Sequence, residues 1–393
     1  MGNTKIKLDS YVSIMGEQTQ SSTVKKSKRL PRVRAIETIR GISTFFMVFG
    51  HYFHWFYNKE SELGRIFDFW IANYSMNHGF PFFIILIGIT LSFAIQRRLE
   101  KEIPKKELVK YILKRGLIII VISILMNLVS YITILSTNPL LILDWNVMAM
   151  IGLSYMINAF IMVLKPPKLA YGVIGFVLIL IDANMPVRVG FHVLANMLIG
   201  TLLGSYWIEA VRNDKISQYQ RYLLLIGILL FVVTFPIDLW IVFNFVDINN
   251  PLVFDILFLA SGRYDLFFIV KSLNIIIPIF HDYPWIFNQW IYYLFSIGNF
   301  AVLYSVLLYF QDIKKKKWRI FDPIMLIGNI SLTLFVTHFL FAVYFFLPLN
   351  LYNYFHVLPF IVMGLSLFIL IYIITLIWKR KNYKYSLEYF LRG

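Results

Sequence analysis

Two histidines, His51 and His338, each fall about fifteen residues into a long apolar run that begins beside basic residues. An ionisable side chain within such a run is costly in a membrane, so each is a candidate for function. The first run also carries Glu37, Arg40 and His54. From Arg40 to His51 is eleven positions, which at 100° per residue makes three turns plus about 20°. The two therefore share one helix face, roughly 16 Å apart. Glu37, three residues before Arg40, can pair with it. The stripe so formed has a cation near one end and an imidazole past its middle. At a rise of about 1.5 Å per residue, His338 reaches the same depth as His51, and Ser331, seven residues earlier, shares its face. Two imidazoles at one depth can do acid–base work. The plainer alternatives are a headgroup anchor for Arg40 and a structural hydrogen bond for either histidine.

These groups need membrane-spanning helices to hold them. Of 393 residues 59% are apolar and 15% charged, against about 45–50% and 25% in soluble domains. Candidate apolar spans, several of them long enough to cross a bilayer, lie at 36–57, 79–96, 111–134, 146–164, 169–184, 190–209, 221–245, 286–310, 323–347 and 356–379. The expected fold is all-α, a polytopic bundle of about ten transmembrane spans. The organisation is a flexible cytoplasmic tail over 1–33, a membrane domain over 34–380 and a cytoplasmic tail over 381–393. Threading the spans from a cytoplasmic N-terminus puts 32 of the 37 Lys and Arg on the cytoplasmic side. Only Lys59, Arg65, Arg188, Arg263 and Lys271 fall elsewhere, so both termini are expected in the cytoplasm of a multi-pass cell-membrane protein. The stretch 251–281, broken by Arg263, Asp265 and Lys271, reads as an external or re-entrant segment.

The net charge of +16 is therefore a topological signal and does not point to nucleic acid. The absence of cysteine excludes a thiolate metal site and a cysteine acyl-enzyme. No metal-ligand spacing, phosphate-binding glycine loop or nucleic-acid motif occurs. Arg97, Arg98, Lys114 and Arg115 gather at one cytoplasmic mouth, where cations can hold phosphates, although any cytoplasmic loop is basic. Asp238 follows Pro236 in the seventh span. His54, His281 and His356 sit near outer span ends and read as interfacial, and His192, beside Asn196, as lining an outer cavity.

The segment Arg34-Ala35-Ile36-Glu37-Thr38-Ile39-Arg40-Gly41-Ile42, followed by Met47-Val48-Phe49-Gly50-His51, resembles the signature of the transmembrane acyltransferase superfamily. The nearest branch is the heparan-α-glucosaminide N-acetyltransferase-like proteins. Three later segments agree in order: Gly79-Phe80-Pro81-Phe82-Phe83 running to Gly88 and Arg97-Arg98, then Lys114-Arg115-Gly116, then Gly328-Asn329-Ile330-Ser331-Leu332 ending at His338. The likeness covers about 36–380.

What the resemblance implies is acyl transfer, with acetyl-CoA or another acyl-CoA as cytoplasmic co-substrate and no metal. The acceptor would be a saccharide or similar small hydroxyl or amine at the outer face. The polysaccharide-acetylating members have their catalytic histidine at the position of His51. The lysosomal branch has asparagine there and its histidine later, before the second helix, where this chain has His78. His51 is the expected base, with His78 its rival and His338 and Glu37 in support. Arg40, Arg97, Arg98, Lys114 and Arg115 are the expected donor-binding cations. The alternative is a transporter or flippase on a related scaffold, with His51 and His338 lining the path. The partners are membrane lipids, acyl-CoA and the acceptor, with a homodimer left open.

Overall fold

The computed structural model describes residues 31–57, 73–133, 146–184, 190–245, 285–341, 349, 351 and 354–391. The stretch 251–281 and His281 lie outside them, as do the side chains of His54 and Asp238. In chain order the helices are α1 (Arg34–Phe56), α2 (Asn73–Glu100), α3 (Lys105–Thr133), α4 (Val147–Val163), α5 (Lys168–Asn184) and α6 (Phe191–Arg212). Then follow α7 (Ile216–Phe245), α8 (Trp285–Leu307), a π-helical turn (Leu308–Ile313), α9 (Phe321–Gly328), α10 (Ser331–Phe341), α11 (Val357–Arg380) and α12 (Leu387–Leu391). No strand occurs among the described residues, only an isolated parallel bridge between Tyr57 and Phe355.

Each expected span coincides with a helix, except that 323–347 is broken. Within it α9 and α10 meet at 81°. Six helices among the described residues are long and apolar enough to cross a bilayer, or seven if the broken pair is counted as one span. The protein is a multi-pass helical membrane bundle, but the six or seven do not establish the expected ten. Part of the shortfall is length: α4 and α5 have 17 residues each, or about 25 Å at 1.5 Å per residue. That is short of a hydrocarbon core of about 30 Å.

Lipid takes the place of water around the outer helices. In α11 only 17% of the apolar window is buried in protein, and in α7 22%. Leu358, Leu365 and Ile369 of the first, with Leu225, Leu229 and Val232 of the second, are exposed. In a bilayer such faces need no protein cover.

The inner bundle holds together by close backbone approach. Among the described residues the most extensive packing is between α2 and α6. A Cβ on Gly88 would collide with the Met197 carbonyl, and one on Gly200 with the Ile85 carbonyl. Small residues at a crossing bring two helices into direct van der Waals contact, which is what drives association in lipid. The crossing of α1 with α9 works the same way, because a Cβ on Gly328 would lie 2.6 Å from the Glu37 carbonyl. Through this contact the broken helix sits on the helix that carries His51.

At the C-terminus the chain folds back onto the membrane domain. After Arg380 the chain turns through Asn382, Tyr383 and Tyr385, all at positive φ, and α12 folds onto the bundle. Leu391 is 5% exposed and shares a core cluster with Leu108, Ile112, Leu332 and Phe335. Apolar residues spaced among the basic ones, Leu387 and Leu391 above all, make this burial favourable.

Candidate functional site

The histidine pair forms across α1 and α10. His338 Nε2 lies 3.3 Å from His51 Nδ1, with ring centroids 5.2 Å apart and planes inclined by 27°. His338 is buried, and its Nδ1 is 3.1 Å from the Leu334 carbonyl. A carbonyl only accepts, so Nδ1 carries the hydrogen and Nε2 offers its lone pair. His51 Nδ1 must then be the donor between the rings, which leaves the lone pair of His51 on Nε2. Each contact fixes the next tautomer. Tyr52 closes the arrangement by donating to the His338 backbone carbonyl at 3.1 Å.

Both helices that carry the pair are held at their first turn by a distant carboxylate. The first amides of a helix have no intrahelical partner and accept such caps readily. In α1, Arg34 N and Ala35 N donate to the two Asp312 carboxylate oxygens at 2.8 and 3.0 Å. Thr38 donates to Gln311 Oε1 at 2.9 Å. Both partners come from the π-helical turn. In α10, Leu332 N and Thr333 N donate to Glu388 Oε1 at 2.6 and 3.2 Å, and Thr333 Oγ1 donates to Oε2 at 2.5 Å. Nothing local in the sequence signals either cap, since the partners are 277 and 55 residues from the helices they hold.

Glu37 behaves differently from the expected i, i+3 partner of Arg40. Both its oxygens accept from Arg32, at 2.5 and 2.7 Å, and this bond raises the Arg32 pKa above its ordinary value. Arg32 precedes the helix and can present its planar fork to both oxygens at once, which a residue one turn along α1 is less able to do. Arg40 is half-buried on α1.

Of the other cations, Arg98 and Arg115 converge and Arg97 and Lys114 stay exposed. The Arg98 guanidinium stacks 3.5 Å from the centre of the Tyr111 ring. Arg115 donates to the Tyr111 hydroxyl and lies 5.5 Å over the ring of Tyr155 from α4. Its Nε is buried without a hydrogen-bond partner, and no carboxylate among the described residues forms an ion pair with either guanidinium. Two cations on an aromatic frame, with a donor still unused, suit an anion. The frame residues Tyr111 and Tyr155 were not anticipated, although an i, i+4 relation links Tyr111 to Arg115.

His78 is separate from the pair. Its Nε2 is 2.6 Å from Asn299 Nδ2, between the rings of Phe82 and Phe295. Gly79 packs on Ser43 and Met47 of α1, one turn before His51. His192 makes a second polar cluster instead of lining an open cavity. Its Nδ1 is 2.9 Å from Asp182 Oδ2, which also accepts from Tyr293 at 3.3 Å. His356 stands exposed ahead of α11.

Residues 32–201 match the family heparan-alpha-glucosaminide N-acetyltransferase, catalytic. The match takes in α1 through half of α6, with His51, His78 and all five cations, and stops short of His338. No curated protein matches the chain.

Proposed function

From a chain whose residues 32–201 are a heparan-alpha-glucosaminide N-acetyltransferase-like catalytic domain, we propose a membrane acyltransferase. It moves an acyl group, acetyl above all, from acyl-CoA to a hydroxyl or amine of a saccharide or similar small acceptor. The observation that carries the reading is the hydrogen bond between His51 and His338, which brings two imidazoles from separate helices together on the helix that opens the family match.

In this reading the acceptor attacks the thioester carbonyl as His51 Nε2 takes its proton. The new C–O or C–N bond forms, the C–S bond breaks, and the proton passes to the departing thiolate to give CoA. His338 holds the His51 tautomer through its own bond to the Leu334 carbonyl. His78 is less suited, because its Nε2 lone pair already accepts the Asn299 amide. Arg98 and Arg115, stacked around Tyr111, hold phosphates of the donor, with Arg40, Arg97 and Lys114 adding to the local field. The protein sits in the cell membrane with both termini in the cytoplasm, as the distribution of Lys and Arg supports.

The test is release of free CoA by purified protein given acetyl-CoA and a panel of amino sugars and polysaccharide fragments. Acceptor-dependent release that His51→Ala abolishes supports the reading. Absence of release, with solute uptake by reconstituted vesicles that His51→Ala blocks, gives the transporter instead.

A further inference from the structure

The two carboxylate caps fall on the two helices whose histidines meet, and on their first turns. We infer that Asp312 and Glu388 are positioning residues that set the register of His51 against His338. This inference rests on the acyltransferase reading for its kinetic test, and on geometry alone for its structural one.

Register matters here because the contact between the rings is short and local. A helix displaced by one residue turns through about 100° and shifts about 1.5 Å, enough to carry His338 Nε2 out of reach of a partner now at 3.3 Å. The displacement is open to α10 in particular. It has 11 residues, and the 81° break means that α9 does not continue its backbone ladder. Beside the Tyr52 bond at His338 and the packing of Leu332 and Phe335, its rotation and axial place depend on what grips its beginning. Glu388 grips two amides and a hydroxyl there, and Thr333 Oγ1 in turn accepts Leu387 N at 2.8 Å. His338 follows Thr333 by five residues, about 7.5 Å along the axis.

Asp312 plays the same part for α1 by a different route. It belongs to a π-helical turn of six residues, and the extra residue in such a turn re-aims the side chains around it. Here Gln311 and Asp312 both meet α1, one at Thr38 and the other at the Arg34 and Ala35 amides. Both carboxylates lie beyond residue 201, outside the region that carries the family match. Sequences alike over that region can thus differ in how the pair is held.

The test exploits the absence of native cysteine. With His51→Cys and His338→Cys together, oxidation should cross-link α1 to α10. Adding Glu388→Ala or Asp312→Ala should cut the yield severalfold, and Glu388→Gln, which keeps one acceptor oxygen, should restore part of it. In the otherwise unaltered enzyme, Glu388→Ala should lower kcat about tenfold or more and leave the KM for acyl-CoA unchanged. In a His338→Ala background the same change should cost nothing further, because residues acting as a unit are not additive. An unchanged cross-linking yield in folded variants would overturn the inference, as would a full extra loss in the His338→Ala background. If the unaltered protein releases no CoA, the functional reading falls and the cross-linking result still decides the positioning.

Discussion

His51 and His338 share a hydrogen bond although 287 residues separate them. The bond orders two protons at once. Leu334 fixes the hydrogen on His338 Nδ1, and His338 Nε2 then takes that of His51 Nδ1.

On the proposed mechanism, removing His51 should cost more than removing its support. His51→Ala should lower turnover about 10²–10⁴-fold, the usual range for a general base, while acyl-CoA still binds. His338→Ala should cost less and His78→Ala least. Because only the neutral imidazole accepts a proton, the rate in the unaltered enzyme should fall as the medium is acidified. Loss of turnover in His78→Ala with near-normal rates in His51→Ala would reverse the assignment, and steady-state kinetics on three variants settle it.

The Arg98 and Arg115 frame makes a claim about affinity. Each charge-assisted contact to a phosphate is worth about 1.5–3 kcal/mol, so Arg115→Ala or Arg98→Ala should weaken acyl-CoA binding roughly 10- to 150-fold. Tyr111→Leu should weaken it too, by releasing both guanidiniums. Titration calorimetry with a non-hydrolysable acyl-CoA gives the answer. Equal affinity in all three variants would remove the site.

The Asp182–His192 pair is a question of stability. Asp182 is fully buried and accepts from His192 and Tyr293, and leaving a buried polar group without its partner costs about 1–3 kcal/mol. Asp182→Ala should lower the thermal midpoint in detergent markedly. Replacing Asp182 and His192 together by apolar residues of similar volume should recover much of the loss. A single variant as stable as the parent would show that the pair is incidental.

Orientation can be read with single cysteines. Those placed near Lys105, near Lys315 and in the last residues should resist an impermeant thiol reagent in intact cells, and those near Ser61 and Asn350 should react. Reaction near Lys315 but not near Lys105 would mean that 251–281 contributes an odd number of crossings.

The helices were legible because hydrophobic runs in a bilayer leave few choices, although one expected span is broken and only six or seven of the helices are long and apolar enough to cross. The histidine pair was legible for a less sound reason. Equal depth holds only for one continuous helix over 323–347, yet the chain breaks at Asn329 and Ile330, while Gly328 brings α9 close against α1. Arg32 shows the limit of helical spacing as a guide. A residue just outside the helix took Glu37 from its i, i+3 neighbour, which no periodicity reveals. Asp312 and Glu388 were beyond reach altogether, since a cap that comes from another part of the chain leaves no pattern around the helix it serves.

One consequence follows from the unbroken length of α2. Its backbone is clamped to α6 at Gly88 and Gly200, so its two ends cannot approach each other. Arg98 marks one end, and His78, a turn away from the level of His51, lies near the other. Twenty residues of helix make a fixed ruler of about 30 Å between them. If Arg98 and Arg115 hold the phosphates as proposed, the donor has to be both long and slender to bring its acyl end to the histidines. A compact donor, however reactive, would be seated at the wrong end of the ruler. On the proposed mechanism, then, reach would select the donor before any group on it is recognised.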